Sequence, residues 1–365
     1  MGSGLSVIGI LLKGTLRVIE ARYHDRVNVL QELIANGSAG EARAPFDRAE
    51  WYELLAETGL TPLIAIASDA ENTAALALHE VNGHITPLRN WYSFTWRHLA
   101  SDGEQGDRLL EQIARQLKAR SHRVTLSPVP EEDSSATRLS RAFAKAGWRV
   151  EVTQCDTNHV LHVQERSFDE YWASRPGRLR TTLKRKARKV ETLIVSHFDP
   201  ALWDAFEATY QASWKPDEDQ PEMLRKFARE EGHAGRLRLG LAFCDEDPVA
   251  AQFWTVEAGT AYIHKLAHLE SARKISAGTT LSAALFQHVI DIDHVEVVDF
   301  GTGTQSYKSD WMESTRPRYQ IDCLDLSSPR AWLDLARLTA KRLTLPNPPA
   351  LAPCPPRGKG PDAEV

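Results

Sequence analysis

Residues 297–312, VVDFGTGTQSYKSDWM, leave an apolar run for glycines, hydroxyls, a Tyr307–Lys308 pair and a tryptophan. The run reads as a strand covered on both faces, and Gly301 and Gly303 mark a sharp turn after it. Ligands of open α/β sheets bind beyond the carboxyl ends of strands, so Asp299, Tyr307 and Lys308 stand where chemistry is expected. A second stretch, AYIHKLAHLE followed by SARKISAGTTLSAALF, is a strand that meets a helix through a basic, small-residue loop. The mouth of such a helix offers backbone N–H groups and a favourable dipole to an anion such as a pyrophosphate. Ser276, Ala277 and Gly278 let the backbone approach closely, Thr279 or Thr280 can cap the helix, and Arg273 with Lys274 supply positive charge.

Strand alternation in AYIHKLAHLE places Tyr262, His264 and His268 on one face and Lys265 on the other. His264 has the intrinsic pKa of a base near neutrality, and Asp299 is a rival base or an orienter of Lys308. Tyr307 can donate a proton to a leaving group. Further along the chain, RLRTTLKRKARKV carries Arg178, Arg180, Lys184, Arg185, Lys186, Arg188 and Lys189 without an acidic residue. A helix with two basic edges is the plain reading; capture of a phosphorylated or polyanionic ligand is the functional one. Trp91 and Tyr92, with Phe94 and Trp96, and Trp214 beside Lys215, are aromatic groups for a substrate groove.

The elements that must position these residues are ordered twice. In the first half, helices at 25–36 and 46–58 precede the strands TPLIAIA, TAALALHE and one near HITPLRNW, then a helix at 104–120, the strand RVTLSPV, a helix at 134–147 and the strands WRVEVTQ and HVLHVQ. In the second, helices at 168–190, 201–213 and 221–231 precede RLRLGLAF, PVAAQFWTVE and TAYIHKLAHLE, a helix at 279–291, and the strands HVEVVDF and RYQIDCLDL. Both halves read as helices, an antiparallel meander, one central helix and a strand, which is a duplicated α/β (α+β) unit. We expect one domain over 1–160, a second over 161–344, and a Pro-rich disordered tail over 345–365.

The 365 residues suit two domains, and a composition 42% hydrophobic and 25% charged is that of a globular chain. The net charge of -5 gives no global attraction to nucleic acid or anionic membranes. Cys155, Cys244, Cys323 and Cys354 form no CxxC pair, so neither zinc nor a disulfide framework is indicated, and a reducing cytoplasm fits. The apolar run before Lys13 is too short to span a bilayer and lacks the flanks of a signal peptide, so the amino terminus reads as loose and weakly packed.

The meander, the S-A-G-T turn into a helix and DFGTGTQSYKSDW together resemble the second half of the CelD/FemAB-like acyltransferases of the GNAT superfamily. LRNWYS at 88–93 and RLRTTLKRKARKVE at 178–191 resemble the same family in their places, and the resemblance covers roughly 45–326. The family more often has a charged residue at the position of Thr302 and proline at that of Ala277. What the resemblance implies is two tandem GNAT-like domains, each a mixed, mostly antiparallel twisted sheet flanked by helices. The second would bind acyl-CoA, such as acetyl-CoA, and pass the acyl group to an amine of a polysaccharide, cell-envelope or small-molecule precursor, without a metal. Some FemAB-like relatives use aminoacyl-tRNA, so a tRNA-dependent transferase is the alternative, and a non-catalytic adaptor with the same fold is another. Under this reading Lys308, Tyr307, Asp299 and His264 are the catalytic candidates. Arg273, Lys274, Ser276, Ala277, Gly278 and Thr279 hold the donor. Trp91, Tyr92, Arg180, Lys184, Trp214 and Lys265 face the acceptor.

Overall fold

The computed structural model of the protein describes residues 20–35 and 44–344. The amino-terminal run, the expected tail and Cys354 lie outside them. The strands are β1 (Arg22–His24), β2 (Pro62–Ser68), β3 (Thr73–Val81), β4 (His84–Pro87), β5 (Leu99–Ala100), β6 (Arg123–Pro130), β7 (Arg149–His162), β8 (Glu191–Val195), β9 (Leu237–Cys244), β10 (Asp247–Glu257), β11 (Thr260–His268), β12 (Val297–Thr302) and β13 (Ser314–Leu324). They form one sheet in the order β1-β2-β3-β4-β6-β13-β7-β12-β11-β10-β9-β8, with β5 beside β3.

Local chemistry explains the meanders. Asn82 and Gly83 between β3 and β4, Asp245 and Glu246 between β9 and β10, and Ala258 and Gly259 between β10 and β11 all have positive φ. That is what a two-residue hairpin needs to match the strand twist, and glycine adopts it without steric cost. In each half the meander ends in a crossover helix, Glu104–Leu117 or Ala277–Gln287, which returns the chain parallel to the last meander strand. β6 thus lies parallel to β4, and β12 parallel to β11. The architecture is mixed α/β, mostly antiparallel, with helices against the sheet.

The halves are joined through the sheet. WRVEVTQ and HVLHVQ are one continuous strand, β7, which runs through the expected boundary at 160. β13, from the second half, inserts between β6 and β7 and pairs antiparallel with both. A hydrophobic core is also shared: Phe46, Trp51, Phe94, Phe227, Phe253 and Tyr262 belong to one cluster. The expected helix at 168–190 is broken into Phe168–Ala173, Gly177–Lys186 and a short 3-10 turn at Ala187–Lys189, because Pro176 cannot continue a helix.

Candidate active site between the halves

The parallel strands β11 and β12 pair only where Thr260, Ala261 and Tyr262 face Val297, Val298 and Asp299. Beyond that point β11 continues against β10, while Thr302 of β12 is opposite Asn158 of β7. The two carboxyl ends therefore part and leave a wedge. Beside the wedge β11 bulges, with Ile263 opposite Trp254, Lys265 opposite Phe253 and His264 as the extra residue. A bulge breaks alternation, so two successive side chains share one face. Lys265 thereby joins Tyr262 and His264, and His268 turns to the opposite face; this corrects the arrangement expected from a regular strand.

His264 is enclosed by Phe46, Phe94, Phe227 and Phe253, with Phe253 stacked at 4.9 Å between ring centroids. Its Nε2 lies 2.8 Å from Thr255 Oγ1. Burial in this apolar box pushes the imidazole down to about 3, with Arg48 and Lys265 adding to the effect, so the ring is neutral near pH 7.

Lys265, on the same face, sits in an aromatic and acidic cage. Its Nζ is 2.6 Å from Glu218 Oε2 and lies over Trp91 at 3.9 Å, Tyr92 at 4.5 Å and Tyr210 at 5.2 Å. Tyr92 Oη donates to Glu218, and burial with this acceptor raises the phenol's pKa. Asn90 Nδ2 donates to Gln220 Oε1 at 3.0 Å, and the Gln220 amide donates to Tyr92 Oη at 3.2 Å. First-half residues thus tie down the 213–220 segment that carries Glu218. Glu218 and Tyr210 carry no sequence signature; only the fold brings them to Trp91, Tyr92 and Lys265.

At the end of β11 the 3-10 turn Glu270–Ile275 leads through Ser276, at φ 56°, into the helix Ala277–Gln287. Arg273 and Lys274 are exposed on this turn, Ala277 and Thr279 are buried, and Lys186 Nζ donates to Ser276 Oγ at 3.0 Å. The basic helix therefore runs to the mouth of the second. Its Arg180 and Lys184 are exposed, Arg180 Nε donates to Arg175 O at 3.1 Å, and Arg178 pairs with Asp310 at 2.7 Å. The Trp214 ring lies 6.3 Å from that of His268, which ends β11.

The corresponding mouth in the first half is closed. Glu104 and Asp107 occupy the first turn of Glu104–Leu117, opposing an anion, and Arg138 Nε donates to Asp107 at 2.6 Å. A Cβ on Gly106 would lie 1.9 Å from Ser101 O, which shows how tightly backbone fills the space.

In DFGTGTQSYKSDWM, Gly301 and Gly303 have φ of 68° and 131°, as the turn requires. Phe94 packs on Gly301, where a Cβ would meet its ring at 3.0 Å. Asp299 accepts from Asn158 Nδ2 at 2.8 Å and from the Gly301 amide at 2.7 Å. Lys308 Nζ turns back onto its own strand and donates to Phe300 O at 3.0 Å and Thr302 O at 2.8 Å. Tyr307 packs edge-on against Phe300, and burial pushes its phenol up to about 12. Among the described residues, no group of His, Cys, Asp and Glu is arranged to hold a metal ion, and no helix is long and apolar enough to cross a membrane.

Residues 177–309 match the family model of the acetyltransferase (GNAT) domain. That span holds the basic helix, the bulged strand, the donor-loop candidates and Lys308. FemX is similar in fold, with a TM-score of 0.60 at 11% identity over 86% of this chain and 99% of that one. The C-terminal domain of a putative lysylphosphatidylglycerol synthetase from Agrobacterium fabrum gives a TM-score of 0.53 at 14% identity over 80% and 91%. L-PGS from Bacillus licheniformis gives 0.52 at 12% identity over 77% and 88%. No curated protein matches the chain. The second half of the chain thus carries a match to the acetyltransferase (GNAT) domain, set in a sheet that repeats its meander, crossover helix and parallel strand, and the fold as a whole is similar to that of FemX.

Proposed function

We propose that the protein is a cytoplasmic N-acyltransferase that binds acyl-CoA in its second half and acylates an amine of a polysaccharide, cell-envelope or small-molecule precursor. The observation that carries this reading is the wedge between β11 and β12, bulged at His264 and opening onto the helix mouth at Ser276–Thr279. A phosphorylated thioester fits these residues, since Arg273, Lys274 and Lys186 gather at a helix amino terminus. The closed, acidic mouth of the first half supports a single donor site.

Acyl-CoA would supply an activated carbonyl. The protein's part is to hold donor and acceptor together and to move a proton. Trp91, Tyr92 and Tyr210 surround the Lys265 ammonium between the halves, and Glu218 beside it is our candidate to take the proton of an acceptor ammonium. Tyr307, protonated at neutral pH, is kept as donor to the leaving thiolate. Asp299 and Lys308 shape the strand end.

Gly278→Asp tests the donor site by placing a carboxylate at the helix mouth. Titration calorimetry should show CoA binding to the wild type and none to the variant, compared on folded samples because the new side chain meets the His268 imidazole and will cost some melting temperature. Equal CoA affinity in both would remove this loop from the site. The basic run over 178–189 favours a second reading, transfer from aminoacyl-tRNA. Binding of tRNA that falls steeply with salt, without CoA binding, would establish it instead. Binding of neither donor would favour the adaptor.

A further inference from the structure

Three polar groups that the proposed chemistry does not use converge on the mouth of Ala277–Gln287. His268 is 5% exposed, and its Nδ1 has no hydrogen-bond partner. That atom faces the helix: a Cβ on Gly278 would lie 3.3 Å from it. Glycine at 278 is therefore what lets the imidazole approach the first turn. The indole Nε1 of Trp214 is likewise buried without a partner, and the Lys215 ammonium lies 4.0 Å from the Trp214 ring centroid. Burial alone pushes that ammonium down to about 8. The imidazole is also held below its usual range, chiefly by burial, with Glu270 opposing and Lys215 and Arg273 assisting.

An unpaired buried polar atom is costly, and two on facing elements beside an anion-favouring helix end need a common partner. Apart from Glu270, which pairs with Arg273 at 3.3 Å, the groups presented there are donors or positive: helix amides, an indole N–H, an ammonium, and an imidazole whose Nδ1 can carry the proton. Their shared complement is a phosphoryl oxygen.

Resting on the acyl-CoA reading, we propose that His268 and Trp214, with Lys215, form a phosphate subsite that holds the pyrophosphate of the donor against the first turn of Ala277–Gln287. The subsite is built from both walls, because His268 ends β11 while Trp214 and Lys215 open the 213–220 segment. Donor binding therefore fastens that segment at one end, as Tyr92 and Lys265 fasten it at Glu218.

The test is CoA binding to the full-length chain carrying His268→Phe or Trp214→Phe, which remove the donor atoms and keep the rings. Calorimetry should show CoA affinity weakened by about tenfold or more for His268→Phe, the size of a lost hydrogen bond to a charged group. Trp214→Phe should weaken CoA as well, and pantetheine, which lacks the phosphates, should bind both variants as it binds the wild type. Unchanged CoA affinity in folded variants, with Gly278→Asp still abolishing binding, would overturn the subsite and leave the donor site standing. A wild-type protein that does not bind CoA would overturn both. Equal weakening of CoA and pantetheine would also overturn the proposal, since the residues would then act on fold and not on phosphate.

Discussion

Glu218 and Lys265 form an ion pair of 2.6 Å with side chains only 12% and 6% exposed. It joins the bulged strand to the 213–220 segment beneath aromatic rings from the first half. Such a pair costs much to desolvate, so its value depends on both partners being present. Glu218→Gln would leave an ammonium buried without its counter-ion and should destabilise the protein by about 3–5 kcal/mol. Replacing both, as Glu218→Gln with Lys265→Met, should restore most of the melting temperature. If Glu218 takes the acceptor proton, turnover per folded molecule should fall by about a hundredfold or more in both variants, within the range that general-base catalysis supplies. A double variant that regains activity along with stability would reduce Glu218 to a structural role.

Lys308 invites the reverse forecast. Its position after a strand end suggested a group acting on substrate, but its ammonium closes on the carbonyls of Phe300 and Thr302 while Asp299 accepts from Asn158 and Gly301. Lys308→Met should therefore lower stability by about 2–3 kcal/mol, the worth of buried bonds to a charged group, and leave turnover per folded molecule near wild type. Asp299→Asn should cost less, since an amide oxygen can still accept from one of the two donors. Melting curves and turnover on the same samples decide the matter. A large loss of turnover at full stability in Lys308→Met would return it to the chemistry.

Much of the frame was legible because it is local. The duplicated order of elements follows from alternation and helical periodicity, and Asn82-Gly83 announces its hairpin. Gly301 and Gly303 announced a turn, and both adopt the left-handed backbone that turn needs. What the sequence concealed depends on distant partners. The bulge at His264 is invisible in AYIHKLAHLE, since only the register against Phe253 and Trp254 reveals it, and with it the alternation argument for Lys265 fails. The insertion of β13 between β6 and β7 is a tertiary pairing with no local mark. Glu218, in WKPDEDQ, looks like one of several solvated acids until the fold sets it against Lys265 and Tyr92. His268 and Trp214 carry no spacing relation to each other, so the approach of their rings to 6.3 Å beside the helix mouth is seen only in three dimensions.

His264 yields a prediction about pH. Its imidazole is held near 3 against an ordinary 6.5, so the folded protein refuses a proton that the unfolded chain accepts between those values. Above 6.5 both states are neutral and the group contributes no pH dependence. Below it stability must fall, by about 1.4 kcal/mol for each pH unit in that window. His98 is pushed down to about 3 in the same way, so His264 accounts for only part of the acid sensitivity. Replacing His264 with Phe would orphan the Thr255 hydroxyl, which is fully buried, so the informative variant is His264→Phe with Thr255→Val, which removes both partners of the 2.8 Å contact. Its melting temperature should decline less steeply than that of the wild type between about pH 6 and pH 4.5, where the titration difference acts. Its turnover near neutrality should remain within a few-fold of wild type if the four aromatics around the ring keep it from the acceptor. An equally steep decline would show that His264 titrates normally in the folded state. A well-folded variant whose turnover drops by about a hundredfold, the lower range of general-base effects, would restore His264 as the catalytic base.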